Sequence, residues 1–372
     1  MKFVCITYTK KPQYDKPALW LYRIRAYIGI LEALSKSDTV ISIDRINYSG
    51  ELFLNGVHHI FPDVGGNRMS AAWKLNRYVK KLKPDIVLVQ GMIFPLQVIQ
   101  LRMQVGGDTR IILQNHAEKP GRRHKKFLQR IADPFINAYL FAAKEMGSEW
   151  IFGGIIGRPG KIHEIMEVSS VFKPLDKATA RLETGVEGRL VFLWVGRLDE
   201  NKNPMMVVKA FLQFARSSPG CRLYMIYHTM ELLGEIERLL DEEEGSRRIV
   251  FLAGTQAHDR LGHWYSSADF IISGSWYEGS GAAVCEAMSC GCIPIVTNIL
   301  SFRMMTDEGR CGLLYEAGKT KDLLRALERT GGMDISEERR KVLEQYRSTL
   351  SFEAIALKIH EVAASLRAAP SR

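Results

Sequence analysis

Ser273 to Thr297 reads SGSWYEGSGAAVCEAMSCGCIPIVT, a pattern of strand end, turn, helix and strand. The run before it, Ala268 to Ile272, is short and mostly apolar, as a buried parallel strand is. Gly274, Gly279 and Gly281, with Ser280, then let backbone approach a ligand closely. Ala282 to Met288 holds residues that favour helix. Gly291 is a stop signal, and Ile293 to Val296 is the next buried strand. The stretch predicts one strand–helix–strand unit of a parallel α/β sheet.

Two glutamates frame the predicted helix, Glu278 in the loop and Glu286 eight positions later. On helical backbone they would stand roughly 12 Å apart along the axis. A sugar nucleotide offers hydroxyls at both ends and an anionic diphosphate between them. Free N–H groups near Ser280 to Ala283 suit the diphosphate, and carboxylates suit the hydroxyls. Read alone, the pair fits equally a solvated loop residue and an outward helix residue. A second stretch, Leu190 to Ala210 (LVFLWVGRLDENKNPMMVVKA), adds two cations. Leu190 to Val195 is a buried strand, Gly196 ends it, and Arg197 follows at its tip. Lys202 precedes a helix opened by Asn203 and Pro204, an N-cap and first-turn signal. Cations at the carboxyl end of a parallel strand stand where open α/β sheets bind ligands. Arg197 can fork onto phosphate oxygens and Lys202 can act as a point charge; taken alone, two solvated loop cations explain them as well.

Together the two stretches resemble the retaining GT-B glycosyltransferases, specifically glycosyltransferase family 4. The resemblance rests on Gly196-Arg197-Leu198, Lys202-Asn203, the Glu278 and Glu286 pair, Glu286-Ala287-Met288, and Gly291-Cys292-Ile293-Pro294. It is strong in the C-terminal half and weak in the N-terminal half. It implies an α/β fold of two Rossmann-like doubly wound domains facing across a cleft. It also implies transfer of a sugar from a nucleotide diphosphate sugar to an acceptor hydroxyl with retention, a hexosyltransferase type of activity, as in cell-surface polysaccharide or glycolipid assembly. The residues implied in catalysis are His116, Arg197, Lys202 and Glu278. Those implied in donor binding are Gly196, Gly254, Gly279, Ser280, Gly281, Ala282 and Glu286, with base contacts near Phe251 to Gly254. No Asp-x-Asp triplet occurs, so no metal and no cofactor beyond the donor itself is expected. A non-catalytic sugar-nucleotide-binding subunit of a glycan-assembly complex is the alternative, and a sugar-nucleotide epimerase or phosphorylase is a third.

The chain of 372 residues is long enough for about two domains, and its 46% hydrophobic and 25% charged residues describe an ordinary globular protein. The formal net charge of +10 is lopsided: residues 1–175 hold 26 Lys and Arg against 14 Asp and Glu, and residues 176–372 hold 25 against 27. A basic first half suits an anionic partner: a membrane surface, a lipid-linked acceptor or an acidic glycan. It also suits plain solubility. No motif points to nucleic acid. Met1 to Tyr8 goes straight into a strand-like run and lacks the longer apolar region of a signal peptide, so the expected location is cytoplasmic, with a peripheral place on the inner membrane face. The six cysteines form no CxxC pair and read as buried thiols of a reducing compartment.

The expected order is an acceptor-side domain over 1–174, a linker over 175–188, a nucleotide-sugar domain over 189–350, and over 351–372 a last helix that packs back toward the first domain and ends in a frayed tail. In the first domain, Lys2 to Thr7 is a strand and Tyr8 to Pro17 a loop carrying Lys10, Lys11 and Lys16. A helix follows from Ala18 to about Leu34. The dinucleotide Gly-x-Gly-x-x-Gly is absent there, which argues against a dehydrogenase. Asn67 to Leu82 is a basic amphipathic helix, fit either to lie on an anionic membrane or to pack on the sheet with its lysines in water. Arg110 to Leu113 is a strand ending in Gln114-Asn115-His116, which places His116 at the sheet's ligand end. A surface loop histidine is the rival reading. Gly121 to Lys126 (GRRHKK) is the densest basic run, a candidate acceptor or membrane contact. Ser169 and Ser170 stand where the resembled family has Asn-Gly, while Phe172 and Pro174 match its domain exit.

Overall fold

The computed structural model describes residues 1–65 and 68–368. The residues divide into two compact units, one of 1–169 with the segment from Phe352 on, the other Ser170–Ser351. The tail expected to fray lies, beyond Ala368, outside the described residues.

The first unit is built on an eight-stranded sheet. Its strands are β1 (Lys2–Lys11), β2 (Thr39–Ile46), β3 (Gly50–Leu54), β4 (Val57–Phe61), β5 (Ile86–Gln90), β6 (Arg110–Gln114), β7 (Ala138–Phe141) and β8 (Ile162–Glu164). Their order is β3-β4-β2-β1-β5-β6-β7-β8, parallel throughout except for the β3–β4 hairpin. Val4 of β1 sits between Ile41 of β2 and Val87 of β5, so the central strands are apolar on both sides. One sheet face (Val4, Ile6, Val87, Val89, Ile111, Leu113) closes against Leu75 and Val79, Val98 and Leu101, and Ala132. These belong to the helices Arg68–Lys81, Pro95–Val105 and His124–Ala132. The final helix, Phe352–Ala368, packs on the helix Arg25–Leu34. There the Phe352 ring fills the space above Gly29, where a β-carbon would stand 2.5 Å from it.

The second unit carries a six-stranded parallel sheet of β9 (Leu190–Gly196), β10 (Cys221–Tyr227), β11 (Val250–Gly254), β12 (Phe270–Ser273), β13 (Ile293–Thr297) and β14 (Leu313–Tyr315). The order β11-β10-β9-β12-β13-β14 is the doubly wound arrangement, in which the chain reverses its direction of travel between β9 and β12. Phe192 anchors the core. It stacks on Phe270 at 4.9 Å between centroids and meets Phe211 and Phe214 edge-on.

Several expectations are corrected. Residues 175–188 are no linker: Asp176 caps the helix Lys177–Thr184 through Thr179 N–H at 2.9 Å, and Lys177 ion-pairs with buried Asp269. Lys10 and Lys11 lie not in a loop but on β1, beside Arg45 and Ile46 of β2 after a register shift. The helix expected over 18–34 is broken at Ile24 into Pro17–Arg23 and Arg25–Leu34. The strands β3, β7 and β14 were not anticipated; each spans at most five residues, too short to show a period. Among the described residues no helix is long and apolar enough to cross a membrane.

Phe192→Ala should cost the second unit about 3–5 kcal/mol, read as a lower urea midpoint. A cost under about 1 kcal/mol would mean that this aromatic cluster does not organise the core.

Candidate functional site

The reversal point of the second sheet gathers both stretches singled out in the sequence. Gly196 ends β9 and Ser273 ends β12, adjacent strands of that sheet. The loops that follow are fastened to each other. Asn201 accepts the Trp276 N–H on its carbonyl at 2.9 Å and donates its side-chain amide to the Tyr277 carbonyl at 3.0 Å. Gly274 permits this closeness: a β-carbon there would stand 3.0 Å from Val207 and 3.1 Å from the Lys202 carbonyl.

Lys202 and Glu278 consequently meet, and their side chains form an ion pair. Both are largely shielded, with 19% and 13% of their side chains exposed. They line a small crevice with Val195, Gly281, Ala283 and Phe302. Arg197 stands apart from this pair, more than half exposed, and is bound to Asp199 at 3.1 Å. Asp199 also caps the turn Glu200–Lys202 by accepting the Lys202 N–H at 3.0 Å, which fixes the Lys202 backbone. Asn203 is not the side-chain cap that Asn-Pro suggested. It takes the left-handed conformation (φ 46°) and its side chain makes no cap hydrogen bond, while Pro204 starts the helix Pro204–Ser217.

The helix Ala282–Ser289 begins at Gly281, which has φ 55° and accepts the Val284 N–H on its carbonyl. A β-carbon on Gly281 would lie 2.6 Å from the Phe302 ring, so conformation and space both demand glycine. Glu278 therefore precedes a sharp bend, and the roughly 12 Å helical spacing to Glu286 does not apply. Ala282 is exposed, while Gly279, Ser280 and Ala283 are half-buried. Glu286 is neither outward-facing nor free: it is 9% exposed, accepts the Tyr265 hydroxyl at 2.9 Å, and lies 2.9 Å from His258 Nε2. Burial, and after it the Glu286 charge, push the Tyr265 phenol well above its ordinary range, so it remains a donor. Phe172 stacks on the His258 ring at 5.0 Å. Gly254 ends β11 with φ 65° and open space around it.

His116 belongs to the first unit, just past β6. It ion-pairs through Nδ1 with Glu167, whose carboxylate is nearly buried, while Nε2 lies 2.8 Å from Gln90 Oε1. The Gln90 amide donates onward to the Tyr27 hydroxyl at 2.8 Å. Glu118 ties the loop together by accepting the His116 N–H at 2.6 Å and the Met92 N–H at 3.1 Å. Burial works against the imidazolium, but the Glu167 hydrogen bond and the Glu167 and Glu118 charges outweigh it and raise the pKa above 6.5. Sequence reasoning missed Glu167, Gln90, His258 and Tyr265. Only Phe172 left a signal, through the exit pattern that it shares with the resembled family.

The sign of the His116 effect is fixed by the raised folded pKa. Its protonation adds stability that is full below the ordinary value of 6.5 and is lost as pH rises through the folded value. In Glu167→Gln the His116 ring resonances should titrate at lower pH than in the wild type, and that part of the pH dependence should shrink. An unchanged titration would remove Glu167 as the partner. Gly281→Ala should destabilise the second unit by about 2 kcal/mol or more, read by urea unfolding.

The family model described as glycosyl transferases group 1 matches residues 176–347. The D-inositol 3-phosphate glycosyltransferase of Rhodococcus erythropolis is 28% identical over 167 residues, 42% of this chain and 37% of its own. That of Acidothermus cellulolyticus is 29% identical over 160 residues, 40% and 35% of the two chains. The chain thus matches little more than a third of the length of these curated relatives. Among solved structures, sucrose-phosphate synthase from Thermosynechococcus elongatus superposes with a TM-score of 0.70 at 17% identity over 99% of both chains. Anabaena HepE in complex with UDP gives 0.73 at 14% identity, over 98% of this chain and 100% of its own. These likenesses carry the fold, which is GT-B with two Rossmann-like domains. Residues 176–347, a little under half of the chain, are thus similar to the glycosyl transferases group 1 family.

Proposed function

We propose that the protein transfers a sugar from a nucleotide diphosphate sugar to an acceptor hydroxyl, with the donor held at the β9–β12 reversal point. The observation that carries this is the shielded Lys202–Glu278 pair, which shares its crevice with Gly281 and Ala283 at the start of the helix Ala282–Ser289. The chemical obstacle in such a transfer is negative charge growing on the departing diphosphate. Fixed cations and backbone donors aimed at that charge lower the barrier.

Lys202 exchanges Glu278 for a phosphate oxygen when donor enters, which frees the carboxylate for hydroxyls of the transferred sugar. Arg197, the more exposed cation, adds a forked contact. The N–H groups near Ser280 to Ala283 receive the remaining oxygens, and the small residues Gly196, Gly279, Gly281 and Ala282 keep the diphosphate close to backbone. Glu286, oriented by Tyr265 and His258, takes the ribose hydroxyls, and Gly254 leaves room for the base. His116, fixed by Glu167 and Gln90, is assigned a role toward the transferred sugar. The reading includes retention, with the acceptor attacking the face from which the diphosphate leaves. No metal is needed because the neutralising charges are on the chain. The acceptor is a glycan or a lipid-linked glycan in cell-surface polysaccharide or glycolipid assembly, met on the cytoplasmic side. Six free, buried cysteines suit that compartment.

HepE was solved with UDP and another neighbour with UDP-2-fluoro glucose, so UDP is the first nucleotide to try. UDP should raise the thermal midpoint of the wild type and have little effect on Lys202→Ala. Transfer from a radiolabelled donor should fall about 10²–10³-fold in Lys202→Ala. Undiminished transfer in that variant would sink the proposal. Donor binding without any transfer would point to a sugar-nucleotide-binding subunit instead.

A further inference from the structure

The three helices that cover one face of the first sheet contain no aspartate or glutamate. Arg68–Lys81 reads RMSAAWKLNRYVKK, Pro95–Val105 reads PLQVIQLRMQV, and His124–Ala132 reads HKKFLQRIA. They are neighbours in one layer: the first packs on the second and the second on the third, and the first two bury their apolar stripes in one core to which the third adds Ala132. Their outer surface is therefore continuous and carries positive charge without local neutralisation. Lys74, Arg77, Lys80 and Lys81 are exposed on the first helix, and Lys125 and Arg130 on the third.

Large apolar side chains stand out among these cations. Trp73, Met103 and Phe127 are 45%, 71% and 62% exposed. Phe152 is 89% exposed and adjoins the third helix, since Lys126 Cε lies 3.7 Å from where a Gly153 β-carbon would stand. Carboxylates come in at the edges of the layer: Glu51 under the Tyr78 hydroxyl at 3.2 Å, and exposed Glu149 on the short helix that carries Phe152. The paired helices Arg25–Leu34 and Phe352–Ala368 differ, because they bring Glu32, Glu353 and Glu361.

We infer that this carboxylate-free layer docks on an anionic lipid bilayer, its cations meeting headgroup phosphates while Trp73, Met103, Phe127 and Phe152 enter the interface. An acidic glycan would use the cations but leave the apolar side chains without a role. A bilayer uses both, since amphipathic surfaces of this kind bind through apolar burial together with attraction to anionic lipid. The inference deepens the proposed function by naming where a lipid-linked acceptor would be met, and it rests on that reading only for its purpose. Vesicle binding needs no donor, so its failure and a failure of sugar transfer are separate results.

The test is co-sedimentation of the full chain with phosphatidylcholine vesicles, with and without roughly a third phosphatidylglycerol. Binding should require the anionic lipid and weaken with salt. Lys74→Gln, Lys125→Gln and Lys126→Gln together should lower partitioning roughly a hundredfold, about fivefold per cation. Phe127→Ser with Phe152→Ser should leave only weak binding that salt abolishes. All five positions lie at the surface, and if either variant fails to fold, the other and the wild-type salt titration decide. Absence of binding, equal binding to both vesicles, or binding of a soluble acidic polysaccharide with none of vesicles would overturn the inference.

Discussion

The Lys202–Glu278 ion pair is possible only because β9 and β12 are neighbours although 76 positions separate the two residues. Two loops leave the same edge of the sheet, Asn201 fastens one to the other, and Gly274 lets them touch. A charge pair so shielded from water requires both partners, since removing one leaves the other unneutralised in a medium that penalises it. The pair thus ties the two loops together across the crevice.

The same economy governs the other polar groups. Glu286 has each of its oxygens satisfied, by Tyr265 and by His258. His116 has an acceptor facing each ring nitrogen, Glu167 on one side and Gln90 on the other. Groups fixed in this way lose little freedom on binding. Each unit orients these polar residues with partners of its own.

Most of the second sheet was legible because its strands are short apolar runs closed by glycine or by polar turns, and the meeting of Lys202 with Glu278 because each follows one of two such strands. What escaped is what spacing cannot carry. Glu167 serves His116 from 51 positions away, and His258 serves Glu286 from 28. Neither pair shares a helix turn or a strand register. The short strands β7 and β14 carry too few residues for a period. The bend at Gly281 was legible as a glycine but not as the reason that Glu278 leaves the helix axis. Asn203 misled because Asn-Pro fits an N-cap and a left-handed residue equally well.

The helix Phe352–Ala368 belongs to the unit that also holds the amino-terminal strand. On the ribosome, residues 1–169 are made well before the segment from Phe352 that packs on the helix Arg25–Leu34. The inserted unit has every strand of its own sheet before that. Both sheets thus have all their strands before residue 352, while the surface of the helix Arg25–Leu34 around Gly29 stays uncovered until Phe352 reaches it. A nascent chain stalled before residue 352 would carry an apolar patch of the sort that chaperones retain.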